Sequence, residues 1–192
     1  MTLKDTLSKY DFKFKKKFGQ NFISDPHLLQ KIAQAADITA DDIVVEIGPG
    51  AGTLTRVLAE TARAVVAIEI DPELIPIIEE NMAGIDNFHL ICADALDINL
   101  DQLVAEKTGS TASYKIVANL PYYITTPLVM HFLEQGFSIN RIVIMVQKEV
   151  AQRFQAAPGT KEYGAVTVAL NYYGQVSLAF IVSRQLFTPQ PE

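Results

Sequence analysis

The chain has 192 residues, 49% of them hydrophobic and 20% charged, with a net charge of −6 at neutral pH. That length supports one substantial core, and the net charge argues against a uniformly basic, nucleic-acid-coating surface. There is no run of eighteen apolar residues to span a membrane. A single cysteine and three histidines predict neither a disulfide nor a zinc site, so no metal is expected, and the reading is of a cytoplasmic, membrane-free monomer.

Charge is unevenly spread. Residues 1–17 hold Lys4, Lys9, Lys13, Lys15, Lys16 and Lys17 against Asp5 and Asp11, a local balance of +4 that leaves −10 for the remainder. Phe12, Phe14 and Phe18 alternate with the lysines. Cations interleaved with aromatics suit phosphate contact and base stacking, and a solvated tail has the same composition. Residues 1–17 are therefore treated as a basic N-terminal arm, and residues 18–192 as one domain.

Gln20 and Asn21 lie just ahead of a helix that Ser24 or Asp25 would cap, with Pro26 at its first position and Leu28, Leu29, Ile32, Ala33 and Ala36 on its apolar face. Both side chains are placed to reach a ligand or to cap backbone. Ile43–Ile47 reads as a buried strand running into Gly48-Pro49-Gly50-Ala51-Gly52, with a helix from Thr53. Ala64 to Ile70 is a second strand, with a helix from Pro72 that Pro76 is placed to bend. Phe88–Cys92 is a third. Lys115–Ala118 is a fourth, with a helix from Pro127, and Arg141 to Val146 a fifth. Alternating strands and helices predict an α/β, Rossmann-like fold with a mostly parallel sheet covered on both faces. Ala165–Tyr173 and Val176–Val182, rich in β-formers and split by Gly174-Gln175, predict two antiparallel strands. The last residues, Phe187 to Glu192, read as an extended Pro-rich piece with Phe187 an exposed aromatic.

Ligands of such sheets bind beyond the carboxyl ends of the strands. Four of those ends carry chemistry. The turn at Gly48, Gly50 and Gly52 allows close backbone approach, but its third glycine is one position early for a dinucleotide fingerprint, and no P-loop Lys-Ser/Thr follows. Glu69 ends the second strand, where an acid accepts from ribose hydroxyls. Asp94 follows the third and can accept from an adenine amino group, although both acids also suit capping. Asn119-Leu120-Pro121-Tyr122 ends the fourth, offering a side-chain amide, a free carbonyl and a ring. A small polar tail, a ribose and a base, without a required phosphate site, describe S-adenosylmethionine. Asn119 Oδ1 and the Leu120 carbonyl would accept the protons of an exocyclic amine beside the sulfonium, and Tyr122 would stack on the base.

In combination, Phe18-Gly19-Gln20-Asn21-Phe22, Glu46-Ile47-Gly48-Pro49-Gly50, Asn119-Leu120-Pro121-Tyr122, Gln147-Lys148-Glu149-Val150, Lys161-Glu162-Tyr163-Gly164 and Phe187-Thr188-Pro189-Gln190-Pro191 resemble the catalytic domain of the bacterial small-subunit ribosomal RNA adenine dimethyltransferases, the kasugamycin-sensitivity family. The resemblance implies a class I methyltransferase fold and transfer of methyls from S-adenosylmethionine to N6 of two adjacent adenines in a 3′-terminal hairpin of small-subunit rRNA, with the 30S subunit as partner. Carried over by position, Gln20, Asn21, Ile23, Gly48, Gly50, Glu69, Asp94 and Asn119 would contact the cofactor. Asn119, Leu120 and Tyr122 would hold the adenine, with Phe187 on its other face. Family members continue past Pro191 into a last sheet strand and a basic helical domain, both expected to be missing from this chain. The alternatives are an erythromycin-resistance methylase acting on large-subunit rRNA, a non-catalytic ribosome-assembly factor, and, disfavoured by the glycine spacing, an NAD-binding oxidoreductase.

Overall fold

A computed structural model describes residues 3–15, 18–120 and 124–191. Five parallel strands, β2 (Ile43–Ile47), β3 (Ala64–Glu69), β4 (Phe88–Cys92), β5 (Tyr114–Asn119) and β6 (Ile139–Met145), form one sheet in the order β4-β3-β2-β5-β6. The three central strands are almost wholly buried, as expected where helices cover both faces. Strand alternation divides the core in two. Val44, Val65 and Val117 face one layer with α2 (Pro26–Ala35), α3 (Thr53–Ala59) and α4 (Ile75–Asn81), whereas Val45, Val66 and Ile116 face the layer of α5 (Leu100–Thr108) and α6 (Thr125–Glu134). The chain builds β2, β3 and β4 outward, then returns to lay β5 on the other side of β2. The switch point therefore falls between the carboxyl ends of β2 and β5, where Ile47 pairs with Ala118.

Local signals act much as read. Asp25 accepts from the Leu28 N–H, with Pro26 at the first position of α2 and Leu28, Leu29 and Ile32 buried. Two helix starts differ from expectation. Residues 72–74 form a turn, so α4 begins at Ile75 and Pro76 occupies its first turn. No intrahelical donor is lost there, so no bend is needed. Helix α6 begins at Thr125, ahead of Pro127.

The tail overturns the strand reading. Residues Ala165–Tyr173 form helix α8, following α7 (Lys148–Phe154). Thr167 and Leu170 are buried one turn apart, and the Thr167 hydroxyl donates to the Arg153 carbonyl at 2.7 Å while accepting from the Gly164 N–H at 3.3 Å. Packing and these local bonds override the β-propensity of the valines. Residues 176–182 join no ladder. Val176 packs on the α6 side of the sheet, Phe180 and Val182 on the α2 side, and the Lys31 ammonium sits 4.4 Å from the Phe180 ring centroid.

The N-terminal arm is packed against the protein rather than solvated. Helix α1 (Leu3–Lys9) buries Thr6 and Leu7. Glu80 on α4 accepts from Lys9 at 2.7 Å and from the Tyr10 hydroxyl at 2.6 Å. The Phe12 and Phe14 rings lie 6.0 and 5.3 Å from Phe22, which opens the two-residue strand β1 (Phe22–Ile23). β1 pairs antiparallel with β7 (Phe187–Thr188), opposing Ile23 to Phe187. Lys16 and Lys17 lie outside the described residues.

Candidate active site

A cleft opens above the switch point, lined by residues 18–22 just after the arm, by Ile47 at the end of β2 with Gly48 and Gly50 beyond it, by Ile68 and Glu69 at the end of β3, by Asp94 after β4, and by Asn119 and Leu120 at the end of β5. Leu74, Ile124 and Leu128 add apolar wall. The four strand ends singled out by residue chemistry thus converge on one cavity.

The glycine turn is built for close approach. Gly48 and Gly50 have φ of 69° and 61°, a region that side chains with a Cβ avoid. The Gly48 N–H donates to the Ile68 carbonyl at 2.9 Å, locking the turn to β3. At Gly50 a Cβ would lie 2.9 Å from the Phe22 ring, so the bare backbone lets the aromatic wall of the cleft close over it.

Glu69 is buried, only 4% exposed. Its Oε1 accepts from the Asp71 N–H at 2.9 Å and its Oε2 from the Gly50 N–H at 3.2 Å. Burial raises its carboxyl to about 7, against the opposing pull of those N–H groups. The acid is therefore fixed in place and titrates near neutrality. Glu46, one strand over, is raised by burial to about 8, against the opposing pull of the Thr55 hydroxyl. Asp94 Oδ1 accepts from the Leu96 N–H, opening a short 3-10 turn (Ala95–Asp97). The capping role weighed for it is real and occupies that oxygen, while the residue still lines the cleft.

Asn119 donates from Nδ2 to the Asn21 carbonyl at 2.9 Å. That bond commits the amide nitrogen to the arm and leaves Oδ1 as its accepting atom. Asn21 in turn donates from its own Nδ2 to the Gly19 carbonyl at 3.0 Å. Gln20 lines the cleft, but its amide is engaged: Oε1 accepts from the Lys15 N–H and Nε2 donates to Asp71 Oδ2, both at 2.7 Å. Leu120 is buried at the cleft edge. Pro121 and Tyr122 lie outside the described residues.

Two residues stand apart from the cleft. Ile23 is buried, its carbonyl accepting from the Thr53 hydroxyl at 2.7 Å, and it is not among the lining residues. Phe187 is buried rather than exposed, a correction to the sequence reading: its place in the β1–β7 ladder draws the ring into the apolar cluster on the α2 side. Sequence reasoning missed Lys15 and Asp71 as neighbours of the site; the Asp71-Pro72 turn signal located the residue but not its partner from 56 positions away.

A doubly wound parallel sheet with a glycine turn and an acid at successive strand ends is the fold of the class I methyltransferases, and two solved structures share it. A dimethyladenosine transferase from Plasmodium falciparum is 30% identical with a TM-score of 0.76, over 89% of this chain and 59% of that one. The 23S rRNA methyltransferase ErmE is also 30% identical, with a TM-score of 0.68 over 90% of this chain and 66% of that one. The model of the ribosomal RNA adenine dimethylase family matches residues 11–192, and the chain belongs to that family. Among its curated relatives, ribosomal RNA small subunit methyltransferase A of Lactococcus lactis is 50% identical over 97% of this chain and 64% of its own length. The protein of the same name from Clostridioides difficile is 47% identical over 98% of this chain and 65% of its own length. The chain thus spans just under two thirds of the length of these relatives.

Proposed function

We propose that this chain binds S-adenosylmethionine in the strand-end cleft and methylates N6 of two adjacent adenines in the 3′-terminal hairpin of small-subunit rRNA, acting on the 30S subunit. The observation that carries the reading is the convergence of Gly48, Glu69, Asp94 and Asn119 on one cleft in a chain of this family. The donor set fits the cofactor. The Gly48–Gly50 backbone admits its amino-acid tail, Glu69 accepts from its ribose hydroxyls, and the free oxygen of Asp94 accepts from its adenine amino group. Gln20 and Asn21, just after the arm, line the cleft, while a cofactor contact from Ile23 would require it to leave its buried place opposite Phe187.

When bound, the cofactor supplies an electrophilic methyl on a sulfonium. The chain's own task is to present the adenine amine in line with it. Asn119 Oδ1 and the Leu120 carbonyl accept the two amine protons and so turn the nitrogen lone pair out of conjugation with the ring. Stacking on the base is assigned to Tyr122 by the family resemblance. Stacking by Phe187 on the opposite face requires its ring to leave the apolar cluster. No strong base is required, because the methylated nitrogen sheds its proton to water readily, and positioning of this kind is worth roughly 7–11 kcal/mol. An adenine held in a hairpin stem must leave its stack to enter the slot.

The 47–50% identity to small-subunit methyltransferases, against 30% to the 23S enzyme, favours the small subunit. Labelled cofactor supplied with separately purified 30S and 50S particles lacking these marks tests the choice. Label is expected in 30S, and label confined to 50S would reassign the substrate. An NADH titration monitored by fluorescence should show no binding; saturable binding would return the dehydrogenase reading.

A further inference from the structure

The Asp71 side chain is wholly buried beside the cofactor cleft, and its side-chain partners are Lys15 of the N-terminal arm and Gln20 just after it. Lys15 Nζ donates to Asp71 Oδ1 at 2.7 Å, and Gln20 Nε2 donates to Oδ2 at 2.7 Å. The Lys15 N–H donates to Gln20 Oε1, so the three residues close a ring. Asp71 also accepts from the Glu73 N–H at 3.1 Å, and its own N–H donates to Glu69 Oε1. Capping that turn needs only the Glu73 bond; the remaining capacity of the carboxylate is turned to the arm. A buried carboxylate is tolerated only with such partners. Burial works to raise its pKa, and Lys15 and Gln20 more than offset this, holding it below the ordinary aspartate range. The opposite end of the same segment is fastened by the Asn119 bond to the Asn21 carbonyl. Lys15, Gln20 and Asn21 thus tie Asp71, just past the end of β3, to the amide at the end of β5.

We propose that Asp71 is a positioning residue: by clasping Lys15 and Gln20 it sets the arm wall of the cleft and the Glu69 carboxylate together, in the geometry that binds the cofactor nucleoside. The assignment rests on the proposed role of Glu69. It makes the arm part of the cofactor site, with the ion pair acting through Gln20 and Glu69 rather than on the ligand directly.

Calorimetric binding of S-adenosylhomocysteine, with Tm measured alongside, tests it. Asp71→Asn keeps a good turn-capping group but loses the ion pair. It should weaken binding about tenfold, Lys15→Met should do the same, and the double variant should be no weaker than the worse single, because all three break one clasp. Lys15→Arg, which keeps the positive charge that pairs with Asp71 and Glu73, should restore affinity. A lowered Tm with unchanged affinity in Asp71→Asn would make the residue a structural acid and overturn the proposal. Multiplicative losses in the double variant would overturn it too. If Asp71→Asn fails to fold, Lys15→Met with its arginine rescue carries the same test. Glu69→Gln serves as the control. If it binds as wild type while the clasp variants are weakened, the ribose reading fails, the route through Glu69 is overturned with it, and Asp71 acts through Gln20 alone. If it is weakened while the clasp variants are not, the clasp alone fails.

Discussion

Glu69 should make cofactor binding depend on pH in a way that its amide variant does not share. In the free protein its carboxyl is raised to about 7, and the charged form is the better acceptor for ribose hydroxyls. If the carboxylate is the binding form, about 90% of the protein is competent at pH 8 and about 10% at pH 6, so the apparent Kd should rise roughly tenfold on acidification. Folding stability runs the opposite way. From the ordinary value of 4.5 up to about 7, the folded chain holds a proton that the unfolded chain has released. The favourable contribution is therefore complete below the unfolded value and lost as pH rises through the folded one, by up to about 3 kcal/mol. Glu69→Gln removes both slopes while retaining an oxygen for the Asp71 N–H. Its amide nitrogen faces the Gly50 N–H, and loss of the charged acceptor should weaken binding by about 1.5–3 kcal/mol at pH 8. Glu46, which burial also raises, and Asp71 are common to both proteins, so the difference between the two titrations isolates Glu69. Calorimetry of S-adenosylhomocysteine between pH 6 and 8, with denaturant melts at the same pH values, gives both readings. Equal pH slopes in the two proteins, or unchanged affinity in Glu69→Gln, would refute the reasoning.

Asn119→Ala should lower turnover at least a hundredfold, roughly 3 kcal/mol, well beyond the loss of cofactor affinity that follows from cutting its bond to Asn21; equal losses in both would make Asn119 a cofactor ligand only. Gly50→Ala places a Cβ 2.9 Å from the Phe22 ring at a φ of 61°, so Tm should fall and binding weaken, with a strain of about 1–2 kcal/mol; a wild-type melt would show that the aromatic wall yields freely. Lys115 lies near the amino end of β5, at the opposite end of the strands from the cleft, donating to the Asp37 carbonyl and to Asp42 Oδ2 at 2.8 Å. Lys115→Met should destabilise by about 2 kcal/mol in urea melts without altering cofactor affinity. Burial works to raise Asp42, and Lys115 more than offsets it. The stability from that pair should therefore be present above the ordinary Asp pKa and fade as pH falls through the depressed one. A variant as stable as wild type would remove the pair from the account.

The sheet was legible because its strands are short apolar runs ending in residues that cannot continue them, Gly48 after β2 and Asp94 after β4. Each strand end also carried its chemistry in the open, so Glu69, Asp94 and Asn119 could be placed before any contact was known. What failed was non-local. Val166 and Val168 suggested a strand, and only the bond from Thr167 to Arg153 and the burial of Leu170 against a neighbouring helix reveal α8. The arm looked like a free basic tail because its counter-charges, Glu80 and Asp71, lie dozens of residues away. Phe187 looked exposed because its pairing partner, Ile23, belongs to the other end of the chain. Distant pairing leaves no periodic trace in the segments that take part.

The central claim is that this cleft directs a methyl group onto the exocyclic nitrogen of adenine in small-subunit rRNA, with Asn119 presenting that nitrogen. The direct measurement is mass spectrometry of nucleosides from unmethylated 30S subunits incubated with the chain and S-adenosylmethionine, in parallel with Asn119→Ala at matched cofactor saturation. The account predicts N6-methylated and N6,N6-dimethylated adenosine with the wild-type chain and neither with the variant. Methyl groups on any other atom, or equal yields from the two proteins, would contradict it.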